Sequence, residues 1–414
     1  MKYGLIGEKL SHSFSKEIHE SLSDYEYELC EIAREELSSF LSKREFCAIN
    51  VTIPYKKEVI PHLDEISPEA EELEAVNVIV NRGGRLCGYN TDYDGMRDLI
   101  LRSGIDLKNK KVLILGTGGT SRTSSLVAKD LGASEVIFVS REKKDGTVDY
   151  LEATTLHTDA DVIINATPVG MYPNNEECPI TLDSFNNLLA VFDAIYNPLR
   201  TPLVLEAKKR GIHAEGGLYM LVSQAVKASE LFTGAIYDAG KTDEIFNKIS
   251  TQKENVVLIG MPSSGKSTVG SLLSKLLDKP LVDMDDEIVA HIGMPIAEFF
   301  KTHTEEEFRY IESEICKRIS KRSGIIIATG GGCILKDENV DALRSNGRLY
   351  FLDRSPKSLV PTDDRPLATN KNAIIKLFEE RFDRYLSVCD IKVNGDLTPL
   401  EEAKIITEEF YSEK

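Results

Sequence analysis

Short apolar runs alternate with helix-spaced segments along the chain, a pattern that predicts α/β architecture. Up to about residue 100, strand-like runs fall at 2–6, 46–53 and 76–80, and helical patterns at 15–22, 68–74 and 93–102. A second series begins at 111–115 and continues with a helical 122–131 and strand-like runs at 135–139, 161–166 and 190–194. A third begins with Val256-Val257-Leu258-Ile259 and continues through runs ending at Asp283 and Thr329. In open α/β sheets, ligands sit beyond the carboxyl ends of strands, so the residues just after each run carry the functional reading.

After the first runs come Ser13 and Ser15, then Asn50-Val51-Thr52 with Lys56, then Asn77, and finally Asn90-Thr91-Asp92. Hydroxyls, amides, one ammonium and one carboxylate at strand ends suit a small polyhydroxylated anion. Each residue also has a plainer reading. Ser13 and Ser15 fit an N-cap pair, Lys56 a solvated charge, and Asp92 a cap for the helix that follows.

In the second series the run at 111–115 leads into Gly116-Thr117-Gly118-Gly119 and a helix. Strand, glycine turn, helix and strand form a dinucleotide-binding unit, in which the turn brings a pyrophosphate to a helix N-terminus. Ser121 occupies the third glycine position. The next strand ends in Ser140-Arg141 where an NAD site usually places an acid, and a guanidinium there suits a 2′-phosphate. NADP is expected.

In the third series, Gly260-x-x-x-x-Gly265-Lys266-Ser267-Thr268 is a complete P-loop between a strand-like and a helix-like run, and it predicts a nucleoside triphosphate site. Ser263 and Ser264 lie inside the loop. A strand ending in Asp283-x-Asp285 sends two carboxylates to one side, suited to Mg²⁺ or to a hydroxyl nucleophile. Arg309 and Glu312 lie three apart on one helix face. Gly330-Gly331-Gly332 follows an apolar run and lets backbone approach a ligand. Arg365 and Arg381 supply further guanidinium groups.

At 414 residues the chain is long enough for two or three domains. The polar stretch 248–255 reads as a linker. A net charge of −17 argues against nucleic acid or anionic membrane as partner. Seven scattered cysteines without a CxxC pair read as reduced thiols. With no signal peptide or bilayer-length apolar run, a cytoplasmic location is expected. Oligomeric state stays open.

Residues 1 to about 249 resemble the shikimate dehydrogenase family. The resemblance is carried by Ser13-x-Ser15, Asn50-Val51-Thr52-x-Pro54-x-Lys56, Ala75-Val76-Asn77, Gly88-x-Asn90-Thr91-Asp92 and Gly116-x-Gly118-Gly119. It continues through Asn165-Ala166-Thr167-Pro168-x-Gly170-Met171, Asp193-x-x-Tyr196-x-Pro198 and Gly217-Leu218-Tyr219-Met220 with Gln224-Ala225. Lys16 and Ser140 depart from the family's usual Pro and Asn. The resemblance implies NADPH-dependent reduction of 3-dehydroshikimate, with Lys56 and Asp92 catalytic and Ser13, Ser15, Thr52, Asn77, Tyr196 and Gln224 binding substrate. It implies Gly116, Gly118, Gly119, Arg141, Thr167 and Met220 at the cofactor.

Residues from about 254 onward resemble shikimate kinase, through the P-loop, Asp283-x-Asp285, Phe308-Arg309-x-x-Glu312, Gly330–Gly332, Arg365-Pro366-Leu367 and Arg381-x-x-x-Tyr385. The implied reaction is phosphorylation of shikimate by ATP with Mg²⁺. Gly260, Ser263, Ser264, Gly265, Lys266, Ser267 and Thr268 would hold ATP, and Ser267 and Asp283 the metal. Asp285, Arg309, Gly331, Gly332 and Arg381 would hold shikimate, with Asp285, Lys266 and Arg365 catalytic. The segment before Arg365 is short, and Val360 and Pro361 stand where the family has a further Arg.

The expected fold is therefore an N-terminal α/β substrate-binding domain plus a Rossmann NADP-binding domain, followed by a three-layer P-loop kinase domain with a parallel sheet. The expected limits are 1–100 with about 233–249 for substrate, 101–232 for NADP, a linker at 250–255, and 256–414 for the kinase. A competing reading is a shikimate/quinate dehydrogenase carrying an inactive nucleotide-binding regulatory module.

Overall fold

The computed structural model of the protein describes residues 1–10, 13–359 and 370–412. The chain divides into two compact units, Met1–Asn197 with Glu206–Ile249, and Pro198–Leu205 with the residues from Ser250 on.

The first unit holds two sheets. One is built from β1 (Tyr3–Gly7), β2 (Tyr27–Glu31), β3 (Ala48–Val51), β4 (Glu65–Ile66), β5 (Val78–Arg82) and β6 (Arg85–Tyr89), in the order β2-β1-β3-β5-β6-β4. Strand β1 is parallel to β2 and β3, whereas β5 is antiparallel to β3 and β6. Helices α1 (Ser15–Leu22), α2 (Leu37–Lys43), α3 (Pro68–Glu72) and α4 (Asp92–Arg102) connect and follow these strands. The other sheet comprises β7 (Lys111–Leu115), β8 (Glu135–Val139), β9 (Thr147–Val148), β10 (Val162–Asn165), β11 (Ala190–Asp193) and β12 (His213–Glu215), in the order β12-β11-β10-β7-β8-β9. It is parallel throughout. Its crossovers include α5 (Gly119–Asp130), α6 (Tyr150–Leu156) and α7 (Pro202–Lys209), and α8 (Leu218–Thr233) and α9 (Lys241–Lys253) follow it.

Helix α8 serves both sheets. Tyr219 and Met220 near its start join the core of the second sheet, while Ala228 and Phe232 near its end join Leu5, Ala48 and Val78 of the first. Gly95 permits α4 to press against it, since a Cβ there would lie 2.5 Å from the Met220 carbonyl oxygen. Helix α8, which the expected split at 101–232 places wholly on the nucleotide side, therefore contributes to both cores. Helix α9 departs from expectation in the opposite sense. Its Phe246 packs edge-on against Tyr219 at 5.3 Å, under the Arg102 guanidinium at 4.7 Å, on the nucleotide-side core.

The second unit carries a parallel sheet of β13 (Asn255–Ile259), β14 (Leu281–Asp283), β15 (Ile326–Ala328), β16 (Gly347–Asp353) and β17 (Ile391–Asn394), in the order β14-β15-β13-β16-β17. All five residues of β13 are buried: 256–259 as an apolar run requires of a central strand covered on both faces, and Asn255 with its amide hydrogen-bonded to the Arg322 carbonyl and the Ile325 N–H. Side chains alternate in direction along a strand. Val256 and Leu258 accordingly pack with α10 (Lys266–Leu277) and α16 (Pro399–Tyr411), and Val257 and Ile259 pack with α13 (Glu305–Ser320) and α15 (Lys371–Val388). Helices α11 (Met284–Ile292), α12 (Ile296–Phe299) and α14 (Asp337–Asn346) complete the layers. The expected linker at 250–255 is regular structure instead. Helix α9 runs to Lys253 and β13 starts at Asn255. A polar stretch free of Gly and Pro sustains a helix, with Ile245 and Ile249 buried along it.

His19 is buried on α1. Its ring stacks on Tyr27 at 4.1 Å and its Nδ1 pairs with the Tyr25 hydroxyl at 2.7 Å. Burial depresses its pKa to about 3, against a hydrogen bond with Asn50. An unfolded histidine titrates near 6.5, so below that pH the unfolded chain binds the extra proton and folding stability falls as pH drops. This one group contributes a slope of up to about 1.4 kcal/mol per pH unit. Denaturant unfolding of the full chain between about pH 7 and about pH 5 should show wild type losing stability relative to His19→Gln. Parallel profiles would contradict a neutral, buried imidazole.

Candidate active sites

The first site forms where β3 and β6 end and where antiparallel β5 and helix α4 begin. Lys56 lies on the turn after β3, and its Nζ donates to Asp92 Oδ2 at 2.5 Å. The Asn77 amide donates to Asp92 Oδ1 at 2.9 Å, and its Oδ1 accepts the Thr91 backbone N–H at 2.8 Å. Asn90 Oδ1 accepts the Asp92 N–H at 3.0 Å while its amide donates to the Ala75 carbonyl at 2.9 Å. Asp92 is therefore not simply a helix cap. It is the first residue of α4, with its carboxylate turned to Lys56 and Asn77. Removing one partner of such a half-buried pair is costly, because the remaining charge stays desolvated.

Ser13 Oγ accepts the Ser15 N–H at 3.2 Å at the start of α1, where Phe14 is the N-cap without a side-chain cap bond. Thr52 continues from β3, its N–H bonded to the Ile6 carbonyl at 3.0 Å. Tyr196, on the loop after β11, rests its ring against Phe14 at 5.2 Å. Gln224 lies on α8 beside Gly95, where its Cβ would be 3.3 Å from an added Cβ. The loop after β11 and helices α1 and α8 thus meet around this site.

At the nucleotide sheet, Gly116 ends the β7 turn at φ 105°. A Cβ there would meet Ser121 Oγ at 3.0 Å and Thr167 Cγ2 at 3.1 Å, whereas nothing lies within 4 Å of one at Gly118 or Gly119. Helix α5 begins at Gly119, so unsatisfied N–H groups face a cradle without side chains, which fits a pyrophosphate. Sequence reasoning missed the lock behind this cradle. Asn165 at the end of β10 donates to buried Asp193 Oδ1 at 3.1 Å, and its Oδ1 accepts from the Thr167 N–H at 3.0 Å and hydroxyl at 2.7 Å. A buried, paired Asn and Asp at successive strand ends was the available signal. Arg141 is exposed just beyond β8, and Met220 is buried in the core.

The second site is a cavity of about 730 Å³ at the carboxyl ends of β13, β14 and β15. The P-loop enters it with φ values of 153° at Gly260, 65° at Ser263 and 95° at Gly265, a left-handed path that glycine makes cheap and that Ser263 also adopts. Lys266 Nζ donates to the Gly260 and Met261 carbonyls, each at 2.9 Å. Ser264 is buried in the loop, its Oγ 2.9 Å from a Cβ placed at Gly260, and Thr268 lines the cavity. Ser267 Oγ donates to Asp283 Oδ2 at 2.5 Å, and Asp283 Oδ1 caps α11 by accepting the Asp285 N–H at 3.0 Å. A hydroxyl and a carboxylate beside a phosphate loop fit Mg²⁺, which prefers few protein ligands together with water and phosphate oxygens.

Opposing charges line the rest. Arg309 donates to Glu312 at 2.7 Å and Glu305 at 3.0 Å. Burial works against its charge, but Glu312 and Glu305 outweigh it and hold the guanidinium protonated. Burial raises the Glu312 pKa against the pull of Arg309. Both Glu312 and Asp285 lean over Gly330, 2.7 Å and 3.3 Å from a Cβ there. The Gly331 carbonyl accepts from Arg381 at 3.1 Å and from the Tyr385 hydroxyl at 2.5 Å. Arg365 lies outside the described residues. Arg354, which sequence reasoning passed over, also lines the cavity. Its place just after the apolar run 349–352 and Asp353 was the available signal.

The first unit is thus built as an α/β dehydrogenase and the second as a P-loop phosphotransferase. Family models match as Shikimate dehydrogenase substrate binding domain over residues 5–79 and as Shikimate kinase over residues 262–410. A shikimate dehydrogenase (NADP(+)) of Clostridium beijerinckii is 36% identical over 260 residues, spanning 59% of this chain and 96% of that protein. The crystal structure of shikimate dehydrogenase 1 from Peptoclostridium difficile has a TM-score of 0.56 at 36% identity, covering 60% of this chain and 98% of that one. The shikimate 5-dehydrogenase of Thermus thermophilus, solved with NADP(H) and shikimate, has a TM-score of 0.54 at 30% identity, covering 60% and 99%. The chain belongs to the shikimate dehydrogenase family and carries a shikimate kinase domain after the dehydrogenase.

Gly332 tests the tightness of the second site. A Cβ there would lie 2.2 Å from Arg309 Nη1. Gly332→Ala should displace the guanidinium and raise the shikimate KM of the kinase about tenfold or more, with the ATP KM little changed. Steady-state kinetics that leave both constants at wild-type values would show that Arg309 does not depend on this glycine.

Proposed function

We infer that the protein reduces 3-dehydroshikimate to shikimate with NADPH and then phosphorylates shikimate with ATP. The observation that carries the kinase reading is the gathering of Asp285, Arg309 and Arg381 with a complete P-loop in one cavity. The Lys56–Asp92 pair supports the dehydrogenase reading.

In the first reaction bound NADPH supplies the hydride. Reduction of a ring ketone leaves negative charge on the former carbonyl oxygen, which must be protonated as it forms. The Lys56 ammonium is the proton donor, and Asp92 orients it and keeps it charged. Ser13, Ser15, Thr52, Asn77, Tyr196 and Gln224 bind the carboxylate and hydroxyls of the substrate. The N-terminus of α5, with Gly118, Gly119 and Thr167, holds the pyrophosphate, and Arg141 holds the 2′-phosphate.

In the second reaction the loop amides and Lys266 neutralise the phosphates, and Ser267 and Asp283 hold the magnesium ion. Asp285 accepts the proton of the attacking shikimate hydroxyl. Arg309, braced by Glu312, and Arg381, tied to Gly331, bind the shikimate carboxylate.

Among the described residues no helix is long and apolar enough to cross a membrane. The unpaired cysteines and the acidic charge support a cytoplasmic enzyme acting on small molecules, without nucleic acid or membrane as partner.

Two substitutions separate the activities. Lys56→Ala should lower the dehydrogenase kcat about 10²–10⁴-fold with a much smaller change in KM, leaving the kinase intact. Asp285→Asn should abolish shikimate phosphorylation while MgATP still binds. Near-wild-type turnover in either variant removes the corresponding residue from its role.

A further inference from the structure

Arg354 follows β16 directly and lies at the same end of its sheet as the P-loop. Arg309 and Arg381 meet the cavity at Gly332 and Gly331, whereas Arg354 meets it at Gly265, its Nη1 3.6 Å from a Cβ placed there. The other two nitrogens are committed elsewhere. Nε donates to the Gly395 carbonyl at 2.6 Å, on the turn after β17, and Nη2 stands 3.7 Å from Glu402 Oε1 on α16. Glu402 is fully buried, and neither of its carboxylate oxygens accepts a hydrogen bond. Burial pushes its pKa up to about 7 against the pull of Arg354, with Asp396 adding to the rise.

A buried carboxylate without hydrogen bonds is a poor structural device, since desolvation offsets a long ion pair. It does fix the direction of a guanidinium while leaving the nitrogen nearest the loop turned toward Gly265. In the sequence no other arginine occurs between Arg354 and Arg365. We propose that Arg354 is a nucleotide-binding residue of the kinase, contacting the phosphate chain of the nucleoside phosphate seated on the P-loop, with Glu402 and the Gly395 carbonyl positioning it. This rests on the kinase reading of the second unit. The competing role is a tie that merely joins the ends of β16, β17 and α16.

MgADP binding measured by calorimetry on the full chain requires no turnover and separates the two questions. Arg354→Met with Glu402→Leu removes both charges together, so no unpaired carboxylate is left in the core. This double variant should bind MgADP about tenfold or more weakly and show a matching rise in the ATP KM, with kcat at saturating ATP and the shikimate KM changed less than about twofold. Arg354→Lys should keep part of the affinity. Glu402→Gln, which leaves Arg354 present but less firmly held, should raise the ATP KM by a smaller factor at unchanged kcat. If a folded double variant binds MgADP as wild type does, Arg354 is only a structural tie and the proposal fails. A wild-type chain that binds MgADP without phosphorylating shikimate would contradict the kinase reading, while the affinity comparison would still decide the role of Arg354.

Discussion

A chain with net charge −17 that must hold dinucleotide, triphosphate and carboxylate ligands faces one electrostatic constraint. Its overall field repels what it binds. Screening reduces that field within a Debye length of about 8 Å at physiological ionic strength, so binding is decided by groups inside each cavity. Both units answer with backbone N–H groups at helix starts and with cations held in place by partners. Lys56 is held by Asp92, Arg309 by Glu312 and Glu305, Arg381 by the Gly331 carbonyl, and Lys266 by two loop carbonyls. Each pairing fixes the position of a cation. The carbonyl pairings of Arg381 and Lys266 also leave the full charge, whereas the carboxylates beside Lys56 and Arg309 offset it.

The scaffolding for these groups follows from strand burial. A strand covered on both faces reads as a continuous apolar run, and β7 and β13 both do so. Each passes straight into a glycine-bearing turn and a helix, so a buried strand delivers backbone donors to an exposed edge. Gly116 and Gly260 lie at that junction, both at positive φ, and an added Cβ would run into the hydroxyl of Ser121 or Ser264.

Much of this was legible in the sequence because glycine turns and polar strand ends are local signals. The P-loop, the Gly116–Gly119 turn and the residues around Lys56 and Asp92 were identified from patterns a few residues long. What escaped depends on partners distant in the chain. The apolar period could not show that α8 closes two cores, because a helix buried over most of its length does not declare which neighbour covers which end. The polar stretch 248–255 read as a linker, although Ile245 and Ile249 already anchor a helix through it. The Asn165–Asp193 lock and the Arg354–Glu402 pair lie across separate elements, and nothing local marks Glu402 as buried. Strands β2 and β6 were likewise missed. The residues of β2, YELCE, are mostly exposed on an edge strand, and β6 carries a glycine.

The central claim is that one chain performs two consecutive reactions, and a single mixture tests it. The full-length protein, 3-dehydroshikimate, NADPH and MgATP would be followed by NADPH absorbance and phosphorus NMR. The account predicts oxidation of NADPH followed by ATP consumption, with shikimate 3-phosphate as the product of both. Accumulation of shikimate with ATP unspent would contradict it and leave the second unit a nucleotide-binding module without kinase activity.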